Sequence, residues 1–430
     1  MSYYASGIGV KGTAPGAKLV VQSIGDQSYR LGGLSKISLT NLFKVPYEGD
    51  NVRIHTNSWG VAMRDKNDGK LTGDLLSYSG LCELVDDIVS EKRDLVILYA
   101  AGNDGGDDKK EGVAGLGTIS HYAYSKNCIT VGASENLRKE IKAKWGDWRN
   151  FESEPITSDL IANNENGMAA WSSRGGPLPH TRIKPDVVAP GTAIFSARSS
   201  RITNPKFNPE FYAANIDPEW WYTSGTSMAT PLVAGCCAVI RQSLVTKDPQ
   251  FAPGKKGPSA ALIKALLING AVMLSGQYKP PYNDTGPSPN PNSGWGRVNV
   301  DNSIILSPTG ATSGYVEGAP LKIEAEDKKG NRAFDINIAQ AGKTLKVTLV
   351  WTDRKGESLQ NDLDLIVKHS NGQEWHGNQG APGGGYDRTN NVEQVQWLKI
   401  PTGKATVTVQ AFRFWNVGVE QDYGLAWTLL

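Results

Sequence analysis

The run Gly225-Thr226-Ser227-Met228-Ala229-Thr230-Pro231 places a serine among small neighbours where an apolar helical stretch begins. A serine hydroxyl attacks a carbonyl only when a base takes its proton and donors stabilise the oxyanion that results. At a helix start the N–H of Ser227 points, with the positive end of the helix dipole, at the place where that oxyanion forms. Gly225 and Ala229 leave room for a substrate to approach. A serine at a helix start is usually just an N-cap, but the seven-residue run is far more specific than that. A second polar cluster, Gly102-Asn103-Asp104-Gly105, can donate a side-chain amide to the same oxyanion. The bland reading of Asn103 is a turn residue.

These clusters need rigid elements behind them. Residues 18–24, 52–57, 95–101 and 128–131 are apolar and β-prone. Helical spacing marks 37–45 and 81–89, and two longer helices are expected over 226–245 and 259–274. Strands alternating with helices, with continuous apolar runs, predict a parallel sheet covered on both faces. In such sheets the site lies beyond the carboxyl ends of the strands. Gly102-Asn103 follows one strand, and Asn57-Ser58-Trp59-Gly60 follows another. Residues 104–117, 145–167 and 201–221 read as surface loops.

Near Pro308 the pattern changes to period two: Leu345, Val347, Leu349 and Trp351 alternate with polar residues, as do stretches of 363–367, 405–414 and 423–430. That predicts an antiparallel β-sandwich. The expected organisation is an α/β parallel-sheet domain over 1–309 and a jelly-roll-like β-sandwich over 310–430.

The 430 residues are 39% apolar and 20% charged, with a net charge of +2 spread along the chain. That balance argues against a dedicated nucleic-acid or membrane-surface binder. No run of about 18 apolar residues predicts a bilayer span. The first residues lack the apolar core of a signal peptide. Cys82, Cys128, Cys236 and Cys237 show neither a zinc spacing nor a disulfide framework.

The run around Ser227 resembles that of the subtilase family, the subtilisin-like serine proteases, in which Gly-Thr-Ser-Met-Ala-Thr-Pro surrounds the nucleophile. Ala100-Ala101-Gly102-Asn103 resembles the segment with the family's oxyanion asparagine. Asn57-Ser58-Trp59-Gly60 resembles the edge that pairs with substrate backbone. Residues 12–20, Ser172-Ser173-Arg174-Gly175 and 184–191 look like further family signatures. The two-part layout is similar to that of the alkaline subtilases. The resemblance implies a subtilisin-like fold, endopeptidase activity through an acyl-enzyme on Ser227, and Asn103 as oxyanion donor. It also implies substrate contacts from Ser58, Trp59, Gly60, Gly102, Gly225 and Thr226, with extended polypeptides as substrates. A monomer and a secreted location are the matching expectations.

The family triad runs Asp, His, Ser, and its histidine element, Gly-His-Gly-Thr-His, precedes a segment like Gly12-Thr13-Ala14-Pro15. The sequence starts inside that following loop, so neither the aspartate nor the histidine element is present. None of the five histidines, His55, His121, His180, His369 and His376, sits in a matching position. Asp26 follows a different strand, and Asp284-Thr285-Gly286 imitates the aspartate motif but comes after the nucleophile. Three explanations are open: a fragment or mis-started product of a full protease, a pseudoprotease that binds peptides, or a missing segment or pro-segment supplied as a separate chain. Another type of serine hydrolase is disfavoured, because no Gly-x-Ser-x-Gly elbow surrounds Ser227.

In the second half, Asp362 and Asp364 lie at a strand start, and Asp387, Asn390, Asn391 and Glu393 form a second cluster. Hard oxygen ligands on adjacent segments suit Ca²⁺, and the related alkaline subtilases carry calcium there. The alternative is ordinary turn chemistry. The aromatics Trp375, Tyr386, Trp397 and Trp415 are expected to pack rather than to bind sugar.

Overall fold

The structure is a computed structural model. It describes the chain except residues 1–3, 6, 7, 10, 25–37, 66–69, 72–76, 149, 179–180, 201–218, 326–327 and 380–381. The expectations placed on Asp26, His180 and the greater part of 201–221 therefore lie outside the described residues.

Four strands form the parallel sheet: β1 (Ile54–Asn57), β2 (Val96–Ala100), β3 (Ile129–Ser134) and β4 (Val187–Pro190), in the order β1-β2-β3-β4. Every residue of β2 and β3 is buried. Only a sheet covered on both faces accepts such unbroken apolar strands. Helices α1 (Leu39–Gly49) and α2 (Gly80–Glu91) pack together, and α2 also packs on β2. Helix α3 (Thr226–Lys247) crosses all four strands. By length and hydropathy α3 is apolar enough to cross a membrane, although no such span was expected. Its place against the sheet accounts for that composition. The four cysteines are buried and free.

Residues 18–24 do not form the expected strand. Leu19 is 74% exposed and Val21 88% exposed, and no described strand pairs with them. β propensity expresses fit to a pleated, half-buried surface, and this run has no such surface beside it. Thr13, just upstream, is anchored: its hydroxyl donates to the Leu232 carbonyl of α3 (2.8 Å). Residues 145–167 are likewise not a surface loop. Trp145, Phe151, Ile156 and Ile161 are buried in the core. They bring their own apolar surface, and buried Glu135 accepts from the Trp145 indole N–H (3.0 Å).

From Ser313 onward the chain forms two antiparallel sheets. The strands are β5 (Ser313–Ala325), β6 (Asn331–Ile338), β7 (Lys343–Val350), β8 (Asn361–His369), β9 (Glu374–His376), β10 (Val392–Ile400), β11 (Gly403–Phe414) and β12 (Glu420–Leu429). One sheet runs β5-β12-β7-β10, extended beyond β5 by the two-residue strand Lys328–Lys329; the other runs β6-β11-β8-β9. Their apolar faces share one core containing Leu345, Val347, Leu365, Val407 and Trp427.

Helix α4 (Ala260–Gly270) joins the two halves. All eleven of its residues are buried, because α3 covers one side and β7 and β12 the other. A side chain at Gly424 of β12 would put its Cβ 2.4 Å from the Leu262 backbone of α4, so the close approach requires glycine. The same junction holds a wholly buried ion pair, Lys126 Nζ to Asp353 Oδ2 at 2.7 Å. Lys126 also donates to the Arg354 carbonyl (2.6 Å), and the Asp353 carboxylate accepts the N–H groups of Gln360 and Asn361. Removing one partner of a buried pair strands the other's charge, at a cost of about 3–5 kcal/mol. Lys126→Met is therefore expected to destabilise the chain by about 3 kcal/mol or more in urea unfolding. Adding Asp353→Asn is expected to recover part of that loss; equal stability of Lys126→Met and the parent would show that the pair contributes nothing.

Candidate active site

Gly225 caps α3 with φ +155° and donates its N–H to the Gly191 carbonyl (2.8 Å). Gly191 in turn donates to the Ser134 carbonyl at the end of β3 (2.9 Å). The nucleophile's helix is thus hung from the carboxyl end of the parallel sheet. The signature around Lys184 and Asp186 supports it from below: the buried Asp186 carboxylate is paired with Lys184 (2.8 Å) and with Lys264 of α4 (2.9 Å), and accepts the Thr130 N–H (2.7 Å).

A helix leaves its first amides without intrahelical acceptors. Here Met228 and Ala229 reach the Gly225 carbonyl, and the Thr226 N–H goes to Asn103 Oδ1 at 2.9 Å. The Ser227 N–H has no described acceptor and stays available. The Thr226 hydroxyl lies 3.0 Å from the same Asn103 oxygen, and the Gly102 N–H donates to that hydroxyl at 3.3 Å. Two donors on Oδ1 fix the amide orientation, so Asn103 presents its NH₂ outward. A Cβ placed on Gly225 would stand 3.5 Å from that Nδ2. Asn103 and Ser227 are therefore brought together with two N–H donors on one side of the serine.

Gly225 and Thr226 are both buried beside the nucleophile, and the Thr226 hydroxyl turns to Asn103. Thr226 braces the asparagine loop against the helix, and Gly225 supplies the backbone conformation. Sequence reasoning also missed Ser173. Its N–H donates to the Gly102 carbonyl (3.0 Å) and its hydroxyl accepts from the Asp104 N–H (3.1 Å), holding the same loop from behind. The Ser172-Ser173 signature was the signal for it.

Ser58 is exposed beside Ser227 and Gly60 is exposed against Ser120, while Trp59 packs edge-on against Tyr99 and Tyr122. Ser58 Oγ donates to the Ser227 carbonyl (2.8 Å), and Ser227 Oγ donates to the Ser58 carbonyl (3.2 Å). No described histidine reaches Ser227. His55 meets Gln22 (3.2 Å), lies tilted against the Phe43 ring, and its imidazole is pushed by burial down to about 4. His121 faces Ser77, His376 meets Glu374 in β9, and His369 lies in β8. The carboxylate of Asp284 is bound by the Met168 and Gln277 N–H groups in a loop away from Ser227.

Four of the expected calcium ligands sit near one another: after burial, the charges of Asp387, Asp364 and Asp362 push the Glu393 carboxyl up, and Glu393 Oε1 is buried without a partner. Arg388 takes the position of a cation between Asp362 and Asp364, with contacts of 3.3 and 2.5 Å. Asp387 accepts the N–H groups of Thr389 and Asn390 within its own turn. Asn391 points into the junction, donating to Asn127 and to the Trp351 carbonyl. Glu393 accepts the Leu365 N–H, and burial pushes its carboxyl up. Among the described residues no group of three acidic, His or Cys side chains is arranged to hold a metal, and Arg388 is the cation paired with Asp362 and Asp364.

Two outcomes are expected. Asn103→Ala in the catalytically competent protein should lower kcat by about 10²–10³ with little change in KM; an unchanged kcat would remove Asn103 from the oxyanion site. Arg388→Ala should lower the melting temperature at pH 8 and less at pH 5. Burial, aided by the like charge of Asp364 and opposed by Arg388, holds Asp362 up to about 7. At pH 5 Asp362 is therefore neutral and needs no counter-charge, whereas at pH 8 it is ionised.

A family model for the subtilases matches residues 2–296. A serine protease/ABC transporter B family protein of Dictyostelium discoideum, tagD, is 26% identical over 88% of this chain and 25% of its own length. Serine protease AprX of Bacillus subtilis is 29% identical over 49% of the chain and 35% of its own length. Pyrolysin of Pyrococcus furiosus is 30% identical over 54% of the chain and 14% of its own length. The chain thus spans about a quarter of the Dictyostelium relative. Among solved structures, a lanthipeptide protease aligns with a TM-score of 0.40 at 17% identity, covering 65% of this chain and 68% of that one. With the family model matched over more than half of its length, the chain belongs to the subtilase family of serine proteases.

Proposed function

We propose that the protein to which these residues belong is a serine endopeptidase that cleaves extended polypeptides through an acyl-enzyme on Ser227. The observation that carries this reading is the fixed pair of donors, the Ser227 N–H and the outward amide of Asn103, set by Thr226 on the side of the nucleophile. Ser227 Oγ attacks the scissile carbonyl carbon while its proton passes to a base. The carbonyl electrons move to the oxygen, which the two N–H donors receive. Collapse breaks the C–N bond, the leaving amine takes the proton, and water then cleaves the ester by the same steps in reverse. The base is a histidine supplied from outside the described residues, as the family resemblance implies. The exposed segment Ser58-Trp59-Gly60 is the proposed backbone partner of the substrate, which would add to it as a strand. Residues 310–430 are proposed to form a separate β-sandwich domain that supports the catalytic half through α4.

The test is hydrolysis of casein or a fluorogenic peptide by the natural full-length protein. Turnover is expected, with loss of at least about 10⁴-fold in Ser227→Ala. Residues 1–430 alone are expected to show no turnover. Full-length activity that survives Ser227→Ala would overturn the proposal, as would a full-length protein that binds peptide and never cleaves it.

A further inference from the structure

Strand β10 is an edge: β7 pairs with one side of it, and no described strand pairs with the other. In an antiparallel strand, successive residues turn their main-chain groups alternately toward the partner and away from it. Gln394 marks the outward set. Its N–H donates to Asn378 Oδ1 (3.0 Å), and its carbonyl accepts the Asn378 N–H (2.9 Å). Gln396 belongs to the same set. Leu398 follows it, since Thr344 of β7 spends its own N–H and carbonyl on Leu430. No described residue bonds to the outward main chain of Gln396 or Leu398. A row of open N–H and C=O groups at a sheet edge is a template for another extended chain.

The same two residues line a groove of about 580 Å³ between the sandwich and residues 273–289 of the catalytic half. The groove is open to solvent: Met273 is 56% exposed and Leu398 63% exposed, and Ser275 is exposed as well. Trp375 forms part of the wall, tilted on Trp397 at 5.5 Å. The half-buried side chains of Gln379 and Gln396 make no described hydrogen bond, and their amide atoms are not sealed from water. The lining holds no Lys, Arg or His and one carboxylate, that of Asp284, so it disfavours an acidic occupant. Asp284 also fixes where the groove lies. It accepts the Met168 N–H (2.8 Å), and Met168 bridges to Ser134 at the carboxyl end of β3, the end from which the helix of Ser227 is hung.

We propose that this groove is a second binding site for the protein substrate: an uncharged extended segment, remote from the bond cleaved, adds to β10 as a strand. The inference rests on the protease reading of Ser227, which requires extended polypeptides. The segment's main chain pairs with Gln396 and Leu398, continuing the line that Asn378 begins. Its side chains meet Met273, Trp375 and Leu398, or the amides of Gln379 and Gln396. A polypeptide in β conformation carries donors and acceptors at the two-residue repeat of this edge. At about 30 Å³ per water-sized group, the groove takes roughly nineteen non-hydrogen atoms, or about two to three residues. That is the length the open stretch 396–398 can pair. So short a pairing is weak by itself and acts by retaining a substrate already engaged at Ser58-Trp59-Gly60.

The probe is a short fluorescein-labelled peptide of alternating threonine and valine, added to the natural full-length protein carrying Ser227→Ala and followed by fluorescence anisotropy. Saturable binding is expected. N-methylation of alternate peptide amides should weaken it at least about tenfold by removing main-chain donors. Gln396→Pro, which removes one outward N–H of the edge, should weaken it about fivefold. Ser275→Trp fills the groove from an exposed position; it should do the same, and decides the matter if Gln396→Pro fails to fold. With Ser227 intact, Ser275→Trp should lower kcat/KM for casein at least about threefold and leave that for a fluorogenic tetrapeptide unchanged. The proposal is overturned if the peptide does not bind, if its N-methylated form binds as tightly, or if Ser275→Trp leaves the affinity unchanged. Equal effects of Ser275→Trp on casein and on the tetrapeptide would overturn it too. Absence of all turnover would refute the protease reading instead, and the anisotropy result would still decide strand addition at β10.

Discussion

The bond from the Thr226 N–H to Asn103 Oδ1 is the constraint around which the catalytic half is arranged. It joins two segments 123 residues apart, one at the start of α3 and one beyond β2. Neither end of it could be held by local structure alone. Asn103 is exposed and lies in a loop, and a free asparagine amide rotates and exchanges its two faces. With Oδ1 held twice by Thr226, only the NH₂ face is left for a ligand. The buried elements exist to keep the two segments in register: the fully apolar β2 and β3, the Gly225–Gly191–Ser134 chain of backbone bonds, and Asp186 with its two lysines. Buried charges of that kind are tolerated only because each carboxylate oxygen has a partner.

The second half is attached by a different logic. The two sheets share a core of their own around Leu345 and Trp427. The junction nevertheless buries a helix on all sides and a set of polar groups that are satisfied only across it. Asn127 is one example, donating to the Asp353 carbonyl and accepting from the Asp353 N–H. Lys126, its neighbour, ends on Asp353 as well. An apolar interface would slide; paired donors and acceptors of fixed direction allow one placement. The cost is that each partner is a liability without the other, so the two halves depend on each other.

Legibility in the sequence followed burial. The run 95–101 could be read as a core strand because every residue of it is apolar, and β2 occupies Val96–Ala100. The helices over 81–89 and 226–245 were legible from spacing, and Ser227 and Asn103 from the company they keep. What failed was whatever depended on a distant partner. Leu19-Val20-Val21 has the composition of a strand, but no described neighbour pairs with it. Trp145 and Phe151 sit in a stretch rich in polar residues, and only the fold shows that they are buried against the core. Asp362, Asp364 and Glu393 have the composition of an ion site; Arg388 was the residue that sequence spacing could not place among them. Thr226, a substrate contact by the family resemblance, turns its hydroxyl inward to Asn103.

The reciprocal pair between Ser58 and Ser227 shows what a base must do here. Ser227 Oγ donates its proton to the Ser58 backbone carbonyl. A carbonyl cannot take the proton, so this arrangement is a resting position and not an activated one. Rotation of Ser227 about its side-chain bond would free Oγ without disturbing the bond from Ser58 Oγ to the Ser227 carbonyl, which holds the backbone of the helix start. The backbone, and with it the N–H that receives the oxyanion, would keep its place as the side chain swings from the Ser58 carbonyl to an imidazole. Ser58 thus fixes the part of the nucleophile that must stay still, and leaves free the atom that must move.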